Sequence, residues 1–228
     1  MYNDVMSKKF NIYFHIAMAQ NWKQSFDRVN GHLLESGILN ECNAMVYSIN
    51  GTLEQYDLFK EYSEGKRKGD LLLASNHYHV EFEFPTINLL KNDSEYEDLN
   101  LLYVMSKSAT TPFTQQQKDH IDVMSYFNVH QYKNCLKLLD EYDAVGVDYH
   151  DFPFKHFSGN FFWTKSSHVK NLPYLYWTPE RENAPLGEER HAAEAWVCKP
   201  NGKYKSLHDT HIPVFERHIH EYPPSKYR

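Results

Sequence analysis

Residues 10–51 read FNIYFHIAMAQNWKQSFDRVNGHLLESGILNECNAMVYSING, and this stretch decides the fold class. Phe10 to Ala19 is a β-rich apolar run that reads as a buried first strand. Trp22, Phe26, Val29 and Leu33 then recur at helical spacing and Gly37 closes the segment, as expected of an amphipathic helix. Asn43 to Gly51 is a second strand ending in a turn. Strand, helix, strand in that order opens a mostly parallel α/β sheet flanked by helices, a Rossmann-related arrangement.

Further along, Asp70 to Asn76 (DLLLASN) is a third strand after the basic loop Lys66-Arg67-Lys68. Glu81 to Leu90 reads as a helix with Pro85 in its first turn. Asn100 to Thr111 supplies a fourth strand running into a polar loop. Gln115 to Tyr142 is helical, as one helix or two, with Val129, Tyr132, Leu136 and Leu139 on one apolar face. Ala144 to His150 is another apolar strand, and HFSGNFFWTKSSHVKNLP follows from His156 to Pro173: a polar turn on Ser158-Gly159-Asn160, an aromatic strand, and a basic, proline-stopped end. Past Pro173 the chain is loop-like through Pro179 and Pro185, Glu188 to Val197 reads as a helix, and the His-, Tyr- and Pro-rich tail is expected to wrap back as irregular structure. No repeat and no composition shift marks a boundary, so residues 1–228 are read as one domain, with 200–228 as the tail packing on it.

A chain of 228 residues can bury one sizeable core, and a net charge of −6 with mixed signs excludes a general nucleic-acid binder. No apolar stretch has the length of a signal peptide or a transmembrane segment. Three widely spaced cysteines, Cys42, Cys135 and Cys198, fit reduced thiols in a cytoplasmic protein better than a disulfide framework. Oligomeric state leaves no mark in the sequence.

In open parallel sheets ligands bind beyond the carboxyl ends of the strands. The loops there offer Gln20 and Asn21, Ser106 and Lys107, Asp148 with Tyr149 and His150, and the turn holding His156, Ser158, Gly159 and Asn160. Gly159 would let backbone approach a ligand closely, between three hydrogen-bonding side chains. Each residue taken singly also fits a cap or turn role. The set matters because a parallel sheet would gather it on one rim.

FHIAMAQNW at the start, EFPTINLL from Glu83 to Leu90, LLYVMSKSA, YDAVGVDYH, HFSGNFFW, RHAAEAW and YPPSKY together resemble the small bacterial and large-virus sugar transferases with the GT-A fold. That group includes capsule and lipopolysaccharide-type enzymes and a chlorella-virus sugar transferase domain. HFSGNFFW is the most specific block. The resemblance implies a glycosyltransferase of polysaccharide biosynthesis, moving a sugar from a nucleotide-sugar donor, a nucleoside-diphosphate sugar, to a hydroxyl of a glycan acceptor. A non-catalytic carbohydrate-binding protein on the same fold is the alternative, and a nucleotidyltransferase is disfavoured because the AMAQNW loop lacks the glycine of a phosphate loop.

Most GT-A enzymes carry an acidic D-x-D after the fourth strand to hold Mn²⁺ or Mg²⁺ on the diphosphate. Here that strand ends in Met105-Ser106-Lys107, and the Lys107 ammonium would offset the leaving diphosphate without a metal. The competing expectation is a displaced Mn²⁺ or Mg²⁺ site at Asp148 and His150, or at His208, Asp209 and His211. For the chemical step Glu194, among the apolar Ala193, Ala195 and Trp196 of RHAAEAW, is the leading carboxylate, with Glu188, Glu189, Asp148 and Asp151 as alternatives. His15 and Asn21 would face the nucleotide base or ribose. Trp163 or Trp196 would stack on a sugar or else belong to the core.

Overall fold

In the computed structural model, which describes residues 9–75, 82–176, 188–198 and 202–228, the opening stretch folds as β1 (Phe10–Ala17), α1 (Trp22–Glu35) and β2 (Ala44–Asn50). β1 pairs in parallel with β2 on one side and with β4 (Asn100–Met105) on the other, and β3 (Asp70–Ser75) pairs in parallel with β2. Among the described residues seven strands form the main sheet in the order β3-β2-β1-β4-β8-β5-β9, where β5 is Ala144–Gly146, β8 is Phe162–Lys165 and β9 is Tyr204–Ser206. β8 alone is reversed, lying antiparallel to both β4 and β5. A separate antiparallel pair, β6 (Tyr149–His150) and β7 (His156–Phe157), stands beside it.

β1 is apolar at nearly every position because helices cover both faces of the sheet. Phe10, Ile12, Phe14 and Ile16 point to one side, where they meet Trp22, Phe26, Val29 and Leu33 of α1 and Phe59 of α2 (Leu53–Ser63). Tyr13 points to the other side with Leu101, Tyr103 and Phe162, against α3 (Phe84–Tyr96) and α7 (Glu188–Ala195). Period-two alternation in the strands thus sorts two cores. α1 stops where Gly37 takes a left-handed φ of 76° beyond the Ser36 cap, whose N–H returns to the His32 carbonyl. α2 starts on a capping box between Thr52 and Gln55.

The expected 115–142 helical region is three pieces: α4 (Gln115–Ser125), a π-turn over Tyr126–His130, and α5 (Tyr132–Leu138). The extra residue of the π-turn exposes the Asn128 carbonyl, which accepts from the Trp163 indole at 2.8 Å. α6 (Ser166–Val169) follows β8 directly. The expected 144–150 strand is broken in two, because Asp148 takes φ 51° between β5 and β6. The tail after β9 contains only short 3-10 turns and packs back, its Arg217 and Tyr222 bonding to Asp148 and Asp119. The Pro179 to Pro185 stretch lies outside the described residues.

Candidate functional site

A cavity of about 270 Å³ opens beyond the carboxyl ends of β1, β2 and β4, lined by Ala17, Asn50, Glu83, Met105, Lys107 and their neighbours. Its roof is the 106–111 loop, which backbone bonds pin to β1 and α1. The Ser106 N–H donates to the His15 carbonyl at 2.8 Å, and its hydroxyl accepts from the Ala17 N–H at 2.8 Å. Ser25 donates to the Lys107 carbonyl at 2.7 Å, and Asn21 donates through its backbone to Ala109 and through its amide to Thr111. Ser106 and Asn21 therefore shape the loop with the groups that would otherwise touch a ligand. Gln20 is exposed on the β1–α1 turn, outside the cavity lining.

Opposite the loop sits Glu83, the first residue of the EFPTINLL block and part of the expected 81–90 helix, with no site role expected of it. It is the cap of α3, follows Phe82 at φ 44°, and is 5% exposed. Its Oε2 accepts from the Tyr103 hydroxyl at 2.8 Å and from the Asn160 amide. Burial pushes its carboxyl above the usual range and the charge of Glu194 adds to this, while the two hydrogen bonds and the Lys107 ammonium pull it back. Next to it His15 is held through Nδ1 to Thr86 at 2.8 Å, and Thr86 donates to Ser48 at 2.7 Å. Full burial lowers the His15 pKa to about 3, so the ring is neutral. Asn50 donates to the Phe82 carbonyl at 2.6 Å, and its buried Oδ1 has no partner among the described residues.

The reversed direction of β8 accounts for the second wall. A parallel strand would put its own end on this rim; an antiparallel one puts its beginning there, and Phe162 pairs with Tyr103 near the end of β4. The preceding Ser158-Gly159-Asn160 turn thereby reaches Glu83. Gly159, at φ 70°, serves a different neighbour from the one expected: a Cβ there would lie 2.2 Å from the Met124 sulfur, so its bareness admits α4 rather than a ligand. Asn160, at φ 57° and 1% exposed, turns its amide onto Glu83. Ser158 contacts His120 Nε2 at 3.4 Å. Burial lowers the His120 pKa well below its ordinary value, and the positive charges of Lys107 and Arg217 lower it further. His156 donates from Nδ1 to the Phe154 carbonyl at 2.8 Å; burial lowers its pKa, and the Glu194 carboxylate works the other way.

Lys107 and Glu194 thus act on one buried acid, and their reach extends to His120 and His156 respectively. Asp148 is used differently. One oxygen accepts from the Thr210 N–H at 2.6 Å and the other from the Arg217 guanidinium, whose second amino group lies 3.1 Å from His150 Nε2. A guanidinium therefore occupies the D-x-H pair proposed as a displaced metal site. His208 stacks on Phe127 and bonds Tyr222 at 2.9 Å, and Asp209 accepts from Ser206. Asp151 accepts from the Tyr149 hydroxyl at 3.0 Å. Among the described residues no trio of His, Cys, Asp or Glu with ligand atoms close enough to share an ion lies at the cavity. The side chains of Glu188 and Glu189 lie outside the described residues. Trp163 and Trp196 are core residues, both with no exposed surface.

No family model matches this chain, and no curated protein does. Among solved structures, the crystal structure of Rv0371c from Mycobacterium tuberculosis H37Rv is 10% identical, with 93% of this chain and 97% of that one covered and a TM-score of 0.47. The complex of Rv0371C with manganese is 7% identical over 90% and 91%, at a TM-score of 0.45. A 4-diphosphocytidyl-2C-methyl-D-erythritolsynthase from Anaerococcus prevotii DSM 20548 is 12% identical over 90% of each chain, also at 0.45. Likeness this distant carries no functional argument; the residues themselves have to. Among the described residues no helix is long and apolar enough to cross a membrane.

Proposed function

We propose that this chain is a glycosyltransferase that takes a sugar from a nucleoside-diphosphate sugar and passes it to a glycan hydroxyl. The observation that carries the reading is that the charges of Lys107 and Glu194 both act on the buried Glu83, which lines the cavity at the strand tips together with Lys107, one charge suited to a diphosphate and the other to a hydroxyl proton. The cavity lies just below the roughly 300–1,000 Å³ typical of small-molecule sites, which suits the nucleoside part of a donor rather than all of it. His15 and the unpartnered Asn50 oxygen would meet the base or ribose. Lys107 would lie along the diphosphate, and the sugar would extend toward Asn160 and Glu194.

In the transfer step the Glu194 carboxylate takes the proton of the acceptor hydroxyl as its oxygen bonds to the anomeric carbon. The bond from that carbon to the diphosphate oxygen breaks with its electron pair, and Lys107 meets the negative charge that results. Glu83 acts at one remove, holding the Asn160 turn in place. Asp148 holds the tail through Arg217 instead of serving the reaction.

Incubation with UDP- and dTDP-sugars, with and without Mn²⁺, and measurement of released nucleotide test this reading. Turnover that persists without the metal and falls at least a hundredfold in Glu194→Gln is expected, since a positioned base contributes roughly 10²–10⁴-fold. Sugar binding without turnover of any donor would favour the carbohydrate-binding alternative.

A further inference from the structure

α1 and the π-turn carry a second cluster, which shares no residue with the cavity lining. His32 and Glu35 stand three residues apart on α1 and so share a face. His130, the last residue of the π-turn, brings its Nε2 to 2.9 Å from His32 Nδ1. One ligand atom from each of His32, Glu35 and His130 lies within 4.8 Å of the others. The far nitrogen of His32, Nε2, is 3.0 Å from Asp122 Oδ1, and Asp122 is clamped by Arg28 through bonds of 2.7 and 2.6 Å.

That outer pair has a chemical consequence. A carboxylate at Nε2 keeps the His32 proton there and leaves Nδ1 as a lone pair facing His130, the arrangement that orients metal-bound histidines. The two rings stand at 87° to each other, so their nitrogens meet at a corner rather than stack. Two imidazoles bound at about 2.0–2.1 Å in a tetrahedral site are about 3.3 Å apart. A few tenths of an ångström of opening would therefore admit an ion in place of the shared proton. Two nitrogens and one carboxylate suit a borderline transition ion far better than Mg²⁺ or Ca²⁺, which prefer all-oxygen shells.

We propose that His32, Glu35 and His130 form a binding site for Zn²⁺ or an ion of its class, with Asp122 orienting His32 and solvent completing the shell beside the exposed Glu35. The ion ties α1 to the π-turn. The extra residue of that turn is what brings His130 round to α1, which gives the irregularity a purpose in the fold.

Isothermal titration of the full chain with ZnCl₂ near neutral pH, together with the visible absorption of bound Co²⁺, tests the site. One ion per chain, a raised melting temperature, and no comparable effect of Mg²⁺ are expected. Because the chain has 14 histidines, the variants decide where the ion sits. Glu35→Gln is on the surface and leaves the fold intact, and with His130→Gln it should weaken Zn²⁺ at least tenfold and change the Co²⁺ spectrum. Asp122→Asn should cost about ten- to a hundredfold in affinity. Zn²⁺ affinity and Co²⁺ absorption unchanged in both Glu35→Gln and His130→Gln, or no binding by the unaltered chain, would overturn the proposal.

Discussion

Asn160 and Glu83, 77 residues apart in the chain, share a buried hydrogen bond in which the Asn160 amide donates to Glu83 Oε2. It joins the turn before the reversed strand to the start of α3, and so fixes the distance between the two walls of the candidate site. Asn160→Ala removes a donor from a buried carboxylate and should cost about 1–3 kcal/mol. Asn160→Asp should cost more at neutral pH, since it sets a second carboxylate against Glu83. Its deficit should shrink as the pH falls and the pair takes up a proton. Urea unfolding of both variants at several pH values checks the order and the trend; an aspartate variant no less stable than the alanine one at neutral pH would mean that the bond is not made.

Gly159 gives a steric test. An alanine there pays for a left-handed φ of 70° and for a Cβ lying 2.2 Å from the Met124 sulfur. About 1–2 kcal/mol is expected from the backbone and about 1–3 from overpacking. Adding Met124→Ala should relieve the overpacking and leave the backbone cost, so thermal unfolding of the double variant should show less than additive loss.

Much of the fold was legible from residues 10–51, because a strand covered on both faces must be apolar on both faces, and Phe10, Ile12, Tyr13, Phe14 and Ile16 are. The direction of β8 was not legible: Phe162 and Trp163 are equally apolar whichever way the strand runs, and pairing to β4 and β5 sets it. The break at Asp148 has no local signal: the partner of its carboxylate, Arg217, lies 69 residues further on. Lys107 stood out as the base where an acid was expected. Glu83 did not, since a glutamate before a proline-started helix reads as a helix end. Only the arrival of Tyr103 from β4 and of Asn160 from the turn before β8 makes it a buried acid. Asn50, at the tip of β2, gave the weaker signal of a polar residue closing an apolar strand.

A buried ion pair ties the tail to the break between β5 and β6. Arg217 and Asp148 are 8% and 2% exposed, and removing the arginine strands a buried carboxylate. Arg217→Met should cost about 3–5 kcal/mol, and the added change Asp148→Asn should recover part of it. Limited proteolysis should then release the tail in the single variant before the rest of the chain unfolds. Equal protection of tail and core in Arg217→Met would show that other contacts hold the tail.

Acid should unfold this protein through its buried histidines. The folded-state pKa of His15, about 3, lies below the ordinary 6.5. The unfolded chain therefore binds more protons between those values, and stability rises with pH across that window. Full stabilisation is present above pH 6.5 and drains away as the pH falls toward 3, by about 1.4 kcal/mol per pH unit for His15 alone. Burial likewise lowers the pKa values of His120, His156 and His168, so the loss should be steeper than one proton accounts for. His15→Asn retains a polar group toward Thr86 but cannot titrate. Its stability, measured by denaturant between pH 7 and pH 4, should be lower at pH 7 and should change less with pH than that of the unaltered chain. Parallel curves would show that His15 is protonated alike in the folded and unfolded states, and would remove the neutral ring from the wall of the cavity.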